Sequence, residues 1–225
     1  MESSLILDLR GGYAYIRAMG QVRGDLRGER SSQSADQPDS SRPEGECCLD
    51  DGTTIRLRPI GPADVSACER MLSQCSPKSL YSRYERLITA APLEMAKELC
   101  EQNPHCDLTL VAEVMIDDEP TIIGVAQLLS DSKRVAAEYA VLVADPWQGR
   151  GLGGTFTSFC LQVAYTQGIG RVIAEFLPDN MRMIRILEAR DFDLHRDLQE
   201  RVVSGQKMIT DERTHDSAGS MAKES

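Results

Sequence analysis

VLVADPWQGRGLGG, residues Val141 to Gly154, decides the fold of this chain, because an apolar strand runs directly into a glycine-rich turn. Glycine has no Cβ atom, so the backbone can turn sharply there and approach a ligand closely. The residues that follow, TFTSFCLQVAYTQ, place apolar side chains at helical spacing and predict an amphipathic helix that begins at the turn. The free N–H groups and positive dipole end of such a helix favour an anion. The segment therefore predicts a cradle for a phosphate-bearing ligand.

Two better-known glycine loops do not fit this segment. A P-loop ends in Gly-Lys-Ser/Thr, whereas this loop ends in Gly153, Gly154 and Thr155 and offers no lysine. Gly149, Gly151 and Gly154 match the GxGxxG spacing of dinucleotide-binding folds. In those folds, however, an acidic residue ends a second strand about 20 residues later, and none does so here. The loop is therefore of a different kind.

Composition limits the class of protein. The chain has 225 residues, 41% of them hydrophobic, and a formal net charge of −10. That is enough for one domain with tails, and the acidity argues against a nucleic-acid partner, which usually requires a basic face. The seven cysteines form no CxxC pair, and no apolar run approaches 18 residues. We therefore expect free thiols, no membrane partner and a cytoplasmic protein.

Metal binding is not expected from the sequence. His105 and Cys106 are adjacent and could form a metal-binding or nucleophilic pair. The chain has only three histidines, however, and one of them, His215, lies in a polar tail. We therefore expect no metal site.

Composition also divides the chain into three parts. Residues 24–53 are polar and rich in Ser, Asp, Pro and Gly, so residues 1–53 are predicted to be an N-terminal extension that is largely a disordered linker. Residues 54–210 form the predicted domain, and residues 211–225 a disordered tail. Within the domain, periodicity predicts one strand, two or three helices, three antiparallel strands, the glycine loop, a helix, a strand, a helix and a last strand.

The motif QxxGxG, formed here by Gln148, Gly151 and Gly153, together with this order of elements, resembles the GNAT superfamily of N-acetyltransferases over roughly residues 54–210. Four strings are also similar to the acetyltransferase domain of bacterial protein-lysine acetyltransferases of the Pat type: IRLRPIGPAD, LSQCSPKSLYSRYERL, AAEYAVLVADPWQGRGLG and LPDNMRMIRILEARDFD. The resemblance implies an α/β (α+β) GNAT fold, with a mixed, mostly antiparallel sheet of six to seven strands. It also implies that this sheet splays at its fourth strand and has helices on both faces. The co-substrate it implies is acetyl-CoA, and the acceptor is a primary amine.

The same resemblance implies a coenzyme site. Backbone N–H groups of Val141 and Val143 would pair with the pantetheine arm, and one of them could polarise the thioester carbonyl. The loop would hold the pyrophosphate, although Arg150 fits equally well as a solvent-facing turn residue. Asn180 would contact the coenzyme arm, and it also fits a helix N-cap. The implied set is Val141, Leu142, Val143, Gln148, Gly149, Arg150, Gly151, Leu152, Gly153, Gly154 and Asn180.

Glu138 is the candidate general base. A lysine amine with a pKa of about 10.4 is protonated at neutral pH and attacks only after losing its proton. Glu138 lies three residues before Val141 on the strand AAEYAVLVA, where partial desolvation would raise the pKa of its carboxyl. The resemblance implies the base role for this glutamate. The alternative is a solvated residue on the outer face of a strand, and Glu113 and Glu175 are competitors that also fit ordinary strand positions.

Two departures from the superfamily pattern affect the site. Leu187 stands where many members have a tyrosine that protonates the departing thiolate, so no general acid is assigned. Asp191 replaces a glycine after the same helix, which predicts an altered turn. Transfer to a protein lysine is the expected function, with acetylation of a small amine and a noncatalytic acyl-CoA-binding or sensor domain as alternatives. The sequence predicts neither an oligomeric state nor a role for residues 1–53.

Overall fold

Eight strands among the described residues form one sheet in the order β1-β2-β3-β4-β5-β6-β8-β7. The computed structural model describes residues 43–85, 87–101, 107–130, 133–197, 199 and 201–209. The strands are β1 (Gly45–Cys48), β2 (Thr54–Pro59), β3 (Asp107–Ile116), β4 (Glu119–Ser130), β5 (Ala137–Val143), β6 (Arg171–Phe176), β7 (Asp193–Asp197) and β8 (Val202–Met208). The helices are α1 (Val65–Ser73), α2 (Pro77–Tyr84), α3 (Pro92–Cys100), α4 (Leu152–Thr166) and α5 (Met181–Glu188).

Prolines and capping side chains determine where the helices begin. Pro77 and Pro92 occupy the first position of α2 and α3, where the missing N–H would have no helical partner in any case. The Ser76 hydroxyl accepts a hydrogen bond of 3.2 Å from a backbone N–H in the first turn of α2. The Asn180 side chain caps α5 in the same way, also at 3.2 Å. Helix α4 instead follows Gly151, whose φ of +89° is left-handed.

Helices cover both faces of the sheet, as expected. Helices α4 and α5 pack on one face, in a core that includes Phe156 and Ile184. Helices α1, α2 and α3 pack on the other, which we call the α1–α3 face, around residues such as Met71 and Leu99. Successive side chains of a strand point to opposite faces. On β5, Tyr139 therefore points toward α4, while its neighbours point to the α1–α3 face.

The sheet opens between β5 and β6. Strand β5 pairs antiparallel with β4 along its whole length. In contrast, β5 and β6 pair in parallel only at Ala137 with Val172 and at Glu138 with Ile173. The edge of β5 from residue 139 to 143 that faces β6 therefore has no strand partner within the described part of the chain. This opening confirms the splay predicted at the fourth strand, which is β5 here.

Two edge strands were not predicted, and they bring the sheet from the expected six or seven strands to eight. Strand β1 lies inside residues 24–53, where composition predicts a disordered linker, yet it pairs with β2 and is followed by Leu49, which is 4% exposed. Strand β7, with the sequence DLHRD, pairs with β8. Both carry few apolar side chains. Backbone hydrogen bonds to a neighbouring strand hold them in the sheet. Such pairing cannot be predicted from amino-acid composition.

Some expectations fall outside what the structure describes. His105, Cys106, the predicted tail 211–225 and residues 1–42 of the predicted extension all lie outside the described residues. The boundaries predicted at residues 54 and 210 therefore stay predictions. Of the helices in the described ranges, none is both long and apolar enough to cross a membrane.

Candidate active site

A groove of about 1310 Å³ runs along the glycine loop, the end of β5 and helices α4 and α5. It is larger than the roughly 300–1,000 Å³ of most small-molecule pockets, which suits an elongated ligand. The structure brings all of the implied coenzyme-binding residues except Arg150 to this groove: Val141, Leu142, Val143, Gln148, Gly149, Gly151, Leu152, Gly153, Gly154 and Asn180.

Two glycines give the loop a shape that other residues would resist. Gly149 has a φ of +80° and Gly151 a φ of +89°. A side chain in this left-handed region costs about 1–2 kcal/mol per residue. The loop leads into the first turn of α4, whose N–H groups have no partner inside the helix. The geometry matches the anion cradle that the sequence predicts.

Gly153 and Gly154 also have a packing role that the sequence did not suggest. A Cβ atom on Gly153 would lie 3.0 Å from Ile186 Cδ1, and one on Gly154 would lie 2.7 Å from Arg190 Nη2. Arg190 donates hydrogen bonds to Gly154 O at 2.6 Å and to Ser158 Oγ at 3.0 Å. The absence of side chains at these two positions therefore allows α5 to pack closely against the start of α4.

Gln148 connects the loop to three surrounding elements. Its Nε2 lies 3.0 Å from Val143 O at the end of β5 and 3.0 Å from Ser79 Oγ on α2. Asp145 Oδ1 is a third acceptor at 3.1 Å. Gln148 Oε1 accepts a short hydrogen bond from Arg182 on α5. The motif glutamine thus holds the loop in place from within the protein.

Arg150 is the one implied coenzyme residue that does not line the groove. Its guanidinium forms an ion pair with Asp51 at 3.1 Å and stacks over the Trp147 ring, with Cζ 4.6 Å from the ring centroid. These contacts engage the guanidinium with other side chains of the protein. The geometry supports the alternative that Arg150 is a turn residue.

An acidic side chain from the turn between β1 and β2 lies against the glycine loop. The Asp50 N–H donates a hydrogen bond of 3.2 Å to Arg150 O. A Cβ atom on Gly151 would lie 2.8 Å from the Asp50 carboxylate. Sequence reasoning missed this contact because Asp50 belongs to the segment assigned to a linker. The contact places a negatively charged carboxylate directly beside Gly151 of the loop.

Helix α5 has no proton donor at the position where many superfamily members carry a tyrosine. Leu187 is fully buried in the core beneath α5. Asp191 has a φ of +56°, the left-handed conformation that glycine adopts most easily. Aspartate tolerates this conformation better than most residues, so it stands in for the glycine there. Lys207 Nζ also donates a hydrogen bond of 2.8 Å to Arg190 O, which fixes the turn to β8.

Glu138 is half-buried on the α1–α3 face of β5. Its neighbour Tyr139 points to the opposite face, where the hydroxyl lies 2.9 Å from Thr157 Oγ1 on α4. Burial raises the pKa of the Glu138 carboxyl, the positive charge of Arg83 lowers it, and the negative charge of Glu85 raises it. The net direction is upward. Glu138 is therefore a partly desolvated carboxylate, which the solvated alternative did not predict.

Glu175 lies on the same face as Glu138, on the other side of the splay. The alternate residues of β6, Val172, Ala174 and Phe176, are buried in the core under α4, so Glu175 points to the α1–α3 face. Burial and the charges of Glu138 and Glu85 raise the pKa of the Glu175 carboxyl to about 7. The sequence named Glu175 only as a competitor. Strand alternation, combined with parallel pairing of β5 and β6, was the signal that could have placed the two together.

Helix α2 and the residue that follows it supply two further charges beside Glu138. Arg83 lines the groove and donates a hydrogen bond of 2.5 Å to Gln127 Oε1 on β4. Burial raises the pKa of the Glu85 carboxyl, and Arg83 opposes the rise. No local signal in the sequence marks these residues. Only the packing of α2 on the sheet brings them to Glu138.

Glu113, the other competitor for the base role, has a structural partner. Arg58 Nη2 lies 2.5 Å from Glu113 Oε1, and the same guanidinium bonds Asp64 at 2.7 and 2.8 Å. This cluster joins β2, β3 and the turn that precedes α1. The ion pair therefore gives Glu113 a structural role.

Comparison with known proteins agrees with the fold. Residues 70–192, just over half of the chain, match the model of a family described as acetyltransferase (GNAT) family. The acetyltransferase Pat of Mycolicibacterium smegmatis is 29% identical over 61% of this chain and 40% of its own. An acetyltransferase of Pseudomonas aeruginosa is 25% identical over 66% of this chain and 80% of its own. The chain thus spans less than half of the length of Pat.

A solved structure shows the same architecture. The GNAT domain of S. lividans PAT superposes with a TM-score of 0.66 at 24% identity. The match covers 77% of this chain and 99% of that domain. At this level of identity, the comparison establishes the fold alone.

Proposed function

This chain belongs to the GNAT family of acetyltransferases, and we propose that it transfers an acetyl group from acetyl-CoA to a lysine side chain of a protein, with Glu138 as general base. The observation that carries the proposal is the splay between β5 and β6. The unpaired edge of β5 runs from the partly desolvated Glu138 at one end to the glycine loop at the other. A coenzyme site and a proton acceptor can therefore share one strand.

Three observations support acetyl-CoA as the ligand of the groove. The left-handed Gly149 and Gly151 and the first turn of α4 form an anion cradle of the kind that pyrophosphate requires. The volume of the groove, about 1310 Å³, suits an elongated ligand of this kind. The edge of β5 from residue 139 to 143 offers backbone groups to an extended pantetheine arm. When bound, acetyl-CoA supplies a thioester whose carbon–sulfur bond breaks as the amide bond to the acceptor nitrogen forms, and coenzyme A leaves as the thiolate, which takes up a proton.

The protein's own part in the reaction is to take a proton and to orient groups. Glu138 accepts the proton that the acceptor's ammonium group must lose before its nitrogen can attack. Burial by α2 keeps water from fully solvating this carboxylate and makes it a stronger base than an exposed one. Gln148 holds the loop between β5, α2 and α5, so the cradle and the base keep a fixed separation.

The charge of the α1–α3 face favours a cationic acceptor. Glu138, Glu175 and Glu85 interact with one another there, together with the guanidinium of Arg83. A lysine ammonium or a small amine would each be attracted to this surface. The similarity to Pat-type strings favours a lysine of a protein over a small amine. The expectations of a cytoplasmic setting and of no metal stay predictions.

Incubation with labelled acetyl-CoA tests the proposal. One set of reactions contains lysine-bearing peptides and cell-lysate proteins, and a second contains polyamines and amino acids. We expect label in lysine side chains, located by mass spectrometry of digested peptides. Label found only in the small amines would identify a small-molecule acetyltransferase. Binding of coenzyme A without transfer to any acceptor would identify a binding or sensor domain.

A further inference from the structure

The opening between β5 and β6 places a second carboxylate beside Glu138. Glu138 faces Ile173 in the last parallel pair of the two strands, and Glu175 lies two residues further along β6. We propose that Glu138 and Glu175 take up the acceptor's proton as a coupled carboxylate pair, in which Glu175 takes part in proton uptake beside the base. This inference rests on the proposed role of Glu138.

The sheet geometry supports the pairing. Both side chains point to the α1–α3 face, because the residues on either side of each are directed to the opposite core. Diagonal neighbours on one face of adjacent strands are within reach of each other's side chains. Beyond this point the strands diverge, so the two carboxylates flank the mouth of the splay. A group inserted between the strands would meet both of them.

The surroundings leave the pair with excess negative charge. Helix α2 contributes the guanidinium of Arg83, which also donates a hydrogen bond to Gln127. Glu85, the residue after the helix, contributes a carboxylate. On β8, the residue opposite Glu175 is the uncharged Ser204. The residues of β8 on the same face carry no charge, and on β6 itself the charged neighbour on that face is Arg171. The same-face residues of β8 are Val202, Ser204, Gln206 and Met208.

Two half-buried carboxylates at diagonal positions on adjacent strands do not ionise independently. The first loses its proton readily, and its charge then opposes ionisation of the second. Burial and the charges of Glu138 and Glu85 bring the pKa of Glu175 to about 7. The pair therefore gives up its last proton near neutral pH, where a general base is most effective. In the reaction, an N–H bond of the acceptor's ammonium breaks, an O–H bond forms on the pair, and the proton later passes to solvent.

The pH dependence of kcat/KM for acetyl transfer tests the coupling in four proteins: wild type, Glu175→Gln, Glu175→Asp and Glu119→Gln. Glu175→Gln removes the carboxyl that holds the last proton of the pair and leaves Glu138 to titrate alone. We therefore expect the acidic limb of the profile to move to lower pH by about one unit. Glu175→Asp keeps the charge and should stay near the wild-type profile. Glu119 lies exposed at the start of β4, outside the site, so its variant should match wild type.

The outcomes separate this inference from the proposed function. An acidic limb at the same pH in Glu175→Gln and wild type would overturn the coupling and leave Glu138 as a lone base. Wild-type transfer by Glu138→Gln would overturn the base role itself, whatever the first result. Titration of ¹³C-labelled glutamate carboxyls by NMR gives a readout that needs no activity. There, Glu138→Gln should lower the pKa of the Glu175 carboxyl, and an unchanged value would contradict the pairing.

Discussion

Burial and neighbouring charges set the basicity of the Glu138 carboxylate. Its strand position alone is compatible with a solvated carboxylate, but burial under α2 raises the pKa of the carboxyl. Arg83 limits the rise, and Glu85 adds to it. The strength of the base is therefore set by residues that are distant in sequence and that only the fold brings together.

Backbone strain at single glycines shapes the cradle. Gly149 has a φ of +80° and open space around the position of a Cβ atom, so Gly149→Ala adds strain without a steric clash. We expect Gly149→Ala to lower the free energy of unfolding by about 1–2 kcal/mol, measured by urea denaturation, and to weaken coenzyme A binding. Gly61 has a φ of −130° and also has room for a Cβ, so Gly61→Ala is the matched control and should be close to neutral. Equal effects of the two substitutions would show that the left-handed conformation of Gly149 carries no cost.

How far the site could be predicted differs from residue to residue. The glycine loop could be predicted from the sequence because its parts are contiguous: a strand, a sharp turn and the start of a helix. The proximity of Arg83 and Glu85 to Glu138 could not be predicted, since the sequence of α2 does not indicate which strand the helix packs against. Arg150 matched the motif by position only. Its side chain pairs with Asp51 and stacks on Trp147, and it does not line the groove.

At the scale of elements, the turn between β1 and β2 meets the cradle. The Asp50 carboxylate lies against Gly151, where it would repel a pyrophosphate bound at the first turn of α4. We expect Asp50→Asn to tighten coenzyme A binding several-fold, with a smaller gain at high salt because ions screen the repulsion. Isothermal titration calorimetry at two salt concentrations measures this effect.

Exposed Glu98 on α3 provides the control for that substitution, since α3 packs on the other face of the sheet. Glu98→Gln removes the same charge from the protein and should leave the affinity unchanged. Equal affinities of wild type and Asp50→Asn would show that the Asp50 charge does not act on the ligand.

The elements that were predicted correctly from the sequence are those whose apolar residues follow a regular spacing. Strands β2 to β6 alternate or run apolar, and α4 carries its apolar residues at helical spacing, so each was recognisable on its own. Strands β1 and β7 were missed because GECC and DLHRD carry almost no such pattern. They are held by backbone hydrogen bonds to a strand that must already be in place. The same limit applies to the splay, which appeared in the sequence only through resemblance to a family.

Over the whole molecule, the proposed carboxylate pair should make stability depend on pH. The pKa of Glu175 is about 7 in the folded protein and about 4.3 for an unperturbed glutamate. A group with a raised folded pKa contributes stability below its unfolded pKa, and this contribution is lost as the pH rises through the folded pKa. Ionised Glu175 therefore destabilises the fold above about pH 7.

Thermal unfolding of Glu175→Gln measures this dependence. We expect its Tm to exceed that of wild type at pH 8, the difference to shrink between about pH 7 and pH 4, and the two proteins to differ least below about pH 4. Glu119→Gln, at an exposed position, should follow wild type throughout. A difference in Tm that is independent of pH would contradict the account of Glu175 as a desolvated, coupled carboxylate.

Acetyl transfer by Glu138→Gln tests the central claim most directly. The variant and wild type are compared near neutral pH with acetyl-CoA and a lysine-bearing peptide, and coenzyme A binding is measured on the same samples. The account predicts a rate that is lower by about 10²–10⁴-fold, the usual contribution of a general base, with affinity for coenzyme A retained. A variant that transfers acetyl groups at the wild-type rate would contradict it.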